Sequence, residues 1–272
     1  MEIVIDGTRP LPLKSQLAEY WEYRGLLRHL VVKELKVRYR HTALGLVWSL
    51  AQPLLPALIL GSVFSRALTH PEAARVPYAL FLLAGLVPWS FLAGAVSLAS
   101  GAFVSNGYIL TKVYFPRAIL PAASVLTIAV EFAGGCLLLC GWAIFAGWHV
   151  HLSWVWLPVL FASNALFAFS IAIGIASLNV LYRDVRHALP FLLQVWMFAT
   201  PVLYSPLLVP ARWRWLFGLN PMTAIVLGFR HVLFGTPFDL RLEATSACAA
   251  TLAAIAGIAV YLRLQDALAE RL

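Results

Sequence analysis

One carboxylate, Glu131, stands near the middle of an apolar run from Ala118 to Trp148. An ionisable group at that depth in a hydrophobic segment is costly and is a functional suspect by default. Proton relays use more than one such group, whereas a single carboxylate can bond to Ser124, Thr127 or a neighbouring helix. A structural or conduit-lining role is therefore favoured over proton coupling. His149 and His151 have a spacing a metal could use, yet two imidazoles with no Cys, Asp or Glu nearby make a poor site. Cys136, Cys140 and Cys248 sit inside apolar runs and read as small packing residues. No G-x-x-x-x-G-K-[ST] loop occurs, and the last lysine is Lys112. The chain therefore has no phosphate-cradling loop of that type, and no cofactor or metal is expected on it. H-E-x-x-H, paired carboxylates and Asp-x-Asp are also missing, which weighs against protease, glycosidase and metal-dependent transferase chemistry. The expected role is not enzymatic.

What these residues sit in is more informative. The chain has 272 residues, 61% of them hydrophobic and 12% charged, against about 45–50% apolar and 25% charged in soluble domains. Six long apolar stretches, 43–64, 78–104, 118–148, 152–182, 188–204 and 244–262, carry only Glu131 as an acid or base. A helix needs about 20 apolar residues to cross the hydrocarbon. Continuous runs without period-two alternation favour helices over a barrel. The fold class expected is all-α: one polytopic domain of six transmembrane helices.

The formal net charge of +8 is distributed by membrane side and is not the footprint of a nucleic-acid partner. With the N-terminus inside, fourteen of the 20 Lys and Arg fall in inner segments. The outer ones are Arg66, Arg75, Arg212, Arg214, Arg230 and Arg241. By the positive-inside rule, both termini are expected in the cytoplasm. The first forty residues carry acids and bases throughout, so no removable signal peptide is expected.

Three segments outside the spans have character. Residues 15–41 read as an amphipathic helix at the inner interface, with Tyr20, Leu27, Leu30, Val31 and Leu35 on one face and Arg28, Lys33, Lys36 and Arg40 opposite. Arg24, Glu34 and Arg38 intrude on the apolar arc, so either Gly25 breaks the helix or that face meets protein as well as lipid. In the inner loop 105–117, Ile109, Leu110, Val113 and Tyr114 fall at helical spacing beside Lys112, and Phe115-Pro116 ends the turn. This suits a short helix offering apolar knobs to a soluble partner; spacing alone also allows an ordinary loop. Residues 205–239 are apolar but broken by Pro206, Pro210, Gly218, Asn220-Pro221, Gly228 and Arg230. Two half-helices dipping in from the outer side are expected, with Trp213 and Trp215 at the interface. Aromatic and amide side chains within the spans, namely Trp48, Gln52, Gln194, Trp196, Phe198, Thr200 and Tyr204 together with Glu131, are candidates to line a conduit in which rings pack on sugar faces.

Glu34-Leu35-Lys36-Val37-Arg38-Tyr39-Arg40, followed by Leu44-Gly45-Leu46-Val47-Trp48 and Gln52-Pro53-Leu54, resembles the entry segment of type-2 ABC-transporter permeases that export polysaccharide. Lys112-Val113-Tyr114-Phe115-Pro116-Arg117 with Pro121, Tyr182-Arg183-Asp184-Val185, Pro201-Val202-Leu203-Tyr204 and Asn220-Pro221 resemble the same family in order along the chain. The resemblance implies a homodimer in a bacterial plasma membrane, paired with two copies of a cytoplasmic ATPase that binds ATP and Mg. It further implies that Tyr108, Ile109, Leu110, Lys112, Val113, Tyr114, Phe115, Pro116 and Arg117 form the coupling helix and its exit. The cargo implied is lipid-linked O-antigen, capsule or teichoic-acid polymer, moved through a conduit between the first and fifth spans of the two copies. Arg28, Lys33, Lys36 and Arg40 would attract the carrier's pyrophosphate. Rival readings are a type-2 permease for a drug or lipid, a polytopic transferase, for which the inner loops offer only Asp184, and an ion-driven carrier.

Overall fold

The computed structural model describes residues 21–40, 42, 45, 47–64, 76–110 and 112–271, with side chains as far as 265. It is helical, with no strand among the described residues. The helices are α1 (Arg24–Tyr39), α2 (Val47–Phe64), α3 (Tyr78–Ser100), α4 (Ala102–Ser105), α5 (Gly107–Leu110), α6 (Ile119–Phe145), α7 (Leu157–Leu181), α8 (Asp184–Ala199), α9 (Trp215–Gly218), α10 (Thr223–Phe234) and α11 (Leu240–Arg271). A 3-10 turn at Leu152–Trp156 leads into α7, and two more precede α9.

Five helices are long and apolar enough to cross a bilayer: α2, α3, α6, α7 with its 3-10 entry, and α11. A bent pair, Ala211–Gly218 with Thr223–Phe234, turns through 104° and raises the number to six if counted as one span. The expected fifth span, 188–204, is represented by α8, which begins at Asp184 and stops at Ala199. Pro201 is the reason: a residue preceding proline is pushed out of the helical region, and Thr200 is extended at φ −91°, ψ 141°. At 16 residues α8 is about 24 Å long.

Within the bundle α3 is central, buried along most of its length between α6, α7 and α2, whereas α2 and α11 expose most of theirs. Phe132 stacks between Phe91 and Phe161, with ring centroids 4.6 and 4.5 Å apart. Close helix approach uses small residues, as expected where lipid removes the hydrophobic drive between helices. A Cβ on Gly257 of α11 would stand 2.1 Å from the Ser170 carbonyl oxygen of α7, and one on Gly174 would stand 2.9 Å from Gly257 O. Buried polar side chains are spent on backbone. Asn179 Nδ2 donates to Ser100 O at 2.8 Å, satisfying a carbonyl at the C-terminus of α3. Asn164 Nδ2 donates to Pro88 O at 3.0 Å.

Within the segment 15–41, expected as an interface helix, Arg24–Tyr39 is helical as α1; residues 15–20 and 41 lie outside the described residues, as do Arg66 and Arg75. Leu30 is buried among Ala118, Ile119, Leu120 and Ala123 at the start of α6, and later residues of α1 meet later residues of α6. Helix α1 therefore runs alongside α6 in the same direction. The intruding face of Glu34 and Arg38 is explained by contact with protein; α1 begins at Arg24, one residue before Gly25, after a turn at Tyr23.

Candidate functional site

Helix geometry sets up the polar contact between α1 and α6. Glu34 and Arg38 are four residues apart and share a face of α1; Ser124, Thr127 and Glu131, at i, i+3 and i+7, share a face of α6. Ser124 Oγ and Thr127 Oγ1 each donate to the Glu34 carboxylate at 3.1 Å. One turn further along, Arg38 Nε lies 2.9 Å from Glu131 Oε1, and Tyr39 OH donates to the same oxygen at 2.6 Å. Glu131 is 9% exposed and Arg38 39%. The acid expected to stand without a base has one, supplied by α1, and the hydroxyls expected to serve Glu131 serve Glu34. Burial holds the Glu34 carboxyl above its ordinary value, although the two hydroxyls favour the ionised form. Burial also raises the Tyr39 phenol, and the hydrogen bond to Glu131 adds to this. Beside the pair is a cavity of about 40 Å³ reached by Arg38, Ser49, Gln52, Ser90, Ile128 and Glu131, large enough for a water.

Each helix alone shows only half of this arrangement. Glu34 and Arg38 break the apolar arc of α1, and the three polar residues of α6 form a stripe with the same axial repeat. That match was the available signal; from sequence Arg38 stood out only as an intrusion on the apolar arc, and Tyr39 was not singled out.

The loop 105–117 sits against the N-terminal half of α1. Ile109 and Leu110 are half-buried, in the same apolar cluster as Leu26 and Leu27, and Phe115 is buried within it. Tyr23 OH donates to Tyr114 O at 3.3 Å, and Arg117 Nη1 reaches Gln265 O of α11. Two of the expected knobs are thus partly taken up by the chain itself. Tyr108, Val113 and Tyr114 remain exposed, and Lys112 Nζ lies over the Tyr108 ring at 4.1 Å. Arg28, Lys33 and Lys36 on α1 and Arg40 just past its end are exposed.

At the opposite end, Asn220 joins three elements. Its Oδ1 accepts from Trp196 Nε1 and from Met222 N, each at 3.0 Å, while its Nδ2 donates to Ala199 O and Thr200 Oγ1. Ser246 Oγ of α11 donates to Asn220 O at 2.6 Å. Trp196 is also edge-on to Trp89 and Phe167. Of the candidate lining residues, Trp196 and Thr200 are therefore engaged within the bundle, and Tyr204 OH donates to Phe198 O at 3.0 Å. Trp48, Gln52, Gln194 and Phe198 are exposed. A largely apolar cavity of about 480 Å³ opens between α8 and the bent helix pair, with Trp196, Trp213, Phe217 and Asn220 among its walls. Arg230, counted from sequence as an outer-segment cation, is almost wholly buried at 1% exposure.

Five apolar helices, a bent helix pair and a part-buried polar contact between the first helix and a membrane helix define a polytopic membrane protein. The family model of the ABC-2 type transporter matches residues 25–234, and the chain belongs to that family. An O-antigen export system permease protein RfbA of Klebsiella pneumoniae is 28% identical over 247 residues, covering 90% of this chain and 94% of that protein. The protein of the same name from Myxococcus xanthus is 32% identical over 222 residues, 79% of this chain and 83% of its own length.

Proposed function

We propose that this chain is the permease subunit of an ABC exporter that carries lipid-linked polysaccharide of O-antigen, capsule or teichoic-acid type across a bacterial inner membrane. The observation that carries this reading is similarity along 94% of the length of a protein named as an O-antigen export permease. In this reading two copies associate and enclose the conduit, both termini face the cytoplasm, and two copies of a separate ATPase bind ATP and Mg and drive transport. The exposed Tyr108, Val113 and Tyr114 on the loop against α1 support that loop as the seat of the ATPase, with Phe115 and Arg117 anchoring it from within. Arg28, Lys33 and Lys36 on the exposed side of α1 and Arg40 just past its end would collect the anionic head of the carrier by charge. Their joint replacement by Gln lowers export while leaving assembly intact; unchanged export removes that role. Trp48, Gln52, Gln194 and Phe198, exposed on α2 and α8, are the residues assigned to the conduit wall.

The deciding experiment depletes the protein in its host with the glycan-synthesis enzymes intact and measures lipid-linked glycan on each face of the inner membrane. Export of polysaccharide requires finished polymer to accumulate inside while the surface loses it. If every glycan pool is unchanged, the cargo is of another class, a drug or a lipid.

A further inference from the structure

The chain leaves α8 through Pro201-Val202-Leu203-Tyr204, and all four carbonyl oxygens of this turn are held by side chains from elsewhere. Arg230 of α10 donates through Nη1 to Pro201 O at 2.7 Å and Tyr204 O at 3.5 Å, and through Nη2 to Val202 O at 2.5 Å. Tyr78, the first residue of α3, donates its phenol to Leu203 O at 2.7 Å. The guanidinium is also fixed to α3: its carbon lies 3.5 Å from the centroid of Phe81, and Nε approaches Phe81 O at 3.4 Å. The α3 wall is fitted to this group, because a Cβ on Gly85 would stand 2.9 Å from Arg230 Nη2 and 3.0 Å from Val202 O. A lysine has neither the planar fork nor the five donors needed to reach the turn and α3 together. A fully buried arginine is a costly choice for packing alone.

We infer that Arg230 is a positioning residue for transport: it fastens the α8 exit turn to α3 and α10, so that the bent helix pair and the end of α8 move with the central helix as one body. The transport part of this inference rests on the export function proposed above; the mechanical part does not.

The test uses the full transporter, permease with its ATPase, in lipid nanodiscs. Spin labels at Trp213→Cys in the bent helix pair and Ala93→Cys in α3, in a background with native cysteines replaced, report the distance distribution with and without ATP. In the Arg230 form the distribution is narrow and the label pair keeps one separation in both states. Arg230→Met broadens it at least twofold and lowers polymer exported per ATP hydrolysed at least tenfold, with hydrolysis retained; Arg230→Lys recovers part of both. If Arg230→Met does not assemble, Gly85→Ala, which wedges the clamp without removing the arginine, is read in its place and broadens the distribution in the same sense. An unchanged distribution in whichever variant assembles overturns the inference, as does a loss of export that only follows the amount of complex. If the parent complex exports no polysaccharide, the cargo assignment fails, and the distance distributions still decide the clamp.

Discussion

Breaking the Arg38–Glu131 pair from either side should have unequal consequences. Arg38→Met leaves a carboxylate 9% exposed without its counter-charge. Stripping a buried pair of one partner costs about 3–5 kcal/mol. The pair is only partly enclosed, since Arg38 is 39% exposed, so the expected loss is nearer ~2 kcal/mol. Glu131→Gln keeps an acceptor for Tyr39 OH, and Arg38 is less enclosed than the carboxylate it faces, so the expected loss is about 1 kcal/mol. The double variant leaves no charge unpaired and should lose about 1.5 kcal/mol, short of the sum by a similar amount. The assay is reversible unfolding of the purified permease in mixed micelles, titrated with SDS and followed by tryptophan fluorescence. Additivity within about 0.3 kcal/mol, or a greater loss in Glu131→Gln than in Arg38→Met, would refute the reasoning that this pair fastens α1 to α6.

Glu34 gives a pH test with a defined sign. Its carboxyl is raised above the ordinary 4.5 by burial, so the stability it contributes is fully present below the unfolded value and is lost as pH rises through the folded one. The part of wild-type stability that Glu34 contributes should therefore fall as pH rises above that ordinary value, and Glu34→Gln, which keeps partners for Ser124 and Thr127, should flatten that component in the same assay. Gly257→Ala drives a methyl into the Ser170 carbonyl and should cost about 1–3 kcal/mol through overpacking of α7 on α11, read as a lower SDS midpoint. Asn220→Leu strips Trp196, Met222 and Thr200 of their partner and should cost about 2–3 kcal/mol, with Trp196 fluorescence reporting the loosened joint. Tyr108→Ala with Tyr114→Ala should weaken ATPase capture at least tenfold in a pull-down while leaving permease unfolding unchanged; undiminished capture would move the docking surface elsewhere.

Composition and continuous apolar runs were enough to establish a helical membrane protein, because lipid allows few alternatives to a segment whose backbone must satisfy itself. Local punctuation was legible too: Asn220-Pro221 falls at the break of the bent helix pair, and the polar residues on the arc of α1 left contact with protein as one of two readings. The limits of α8 were read less well, since hydrophobicity continues through Leu203 while Pro201 ends the helix. What α1 touches, which hydroxyls serve which carboxylate, and where Arg230 goes were decided by tertiary structure alone. Periodicity assigns a residue to a face of its own helix, but a hydrogen bond between residues 90 or more positions apart depends on the axial offset and rotation of two packed helices. For Arg230 the partners are main-chain carbonyls, which every residue carries; no side-chain pattern in a sequence can single them out.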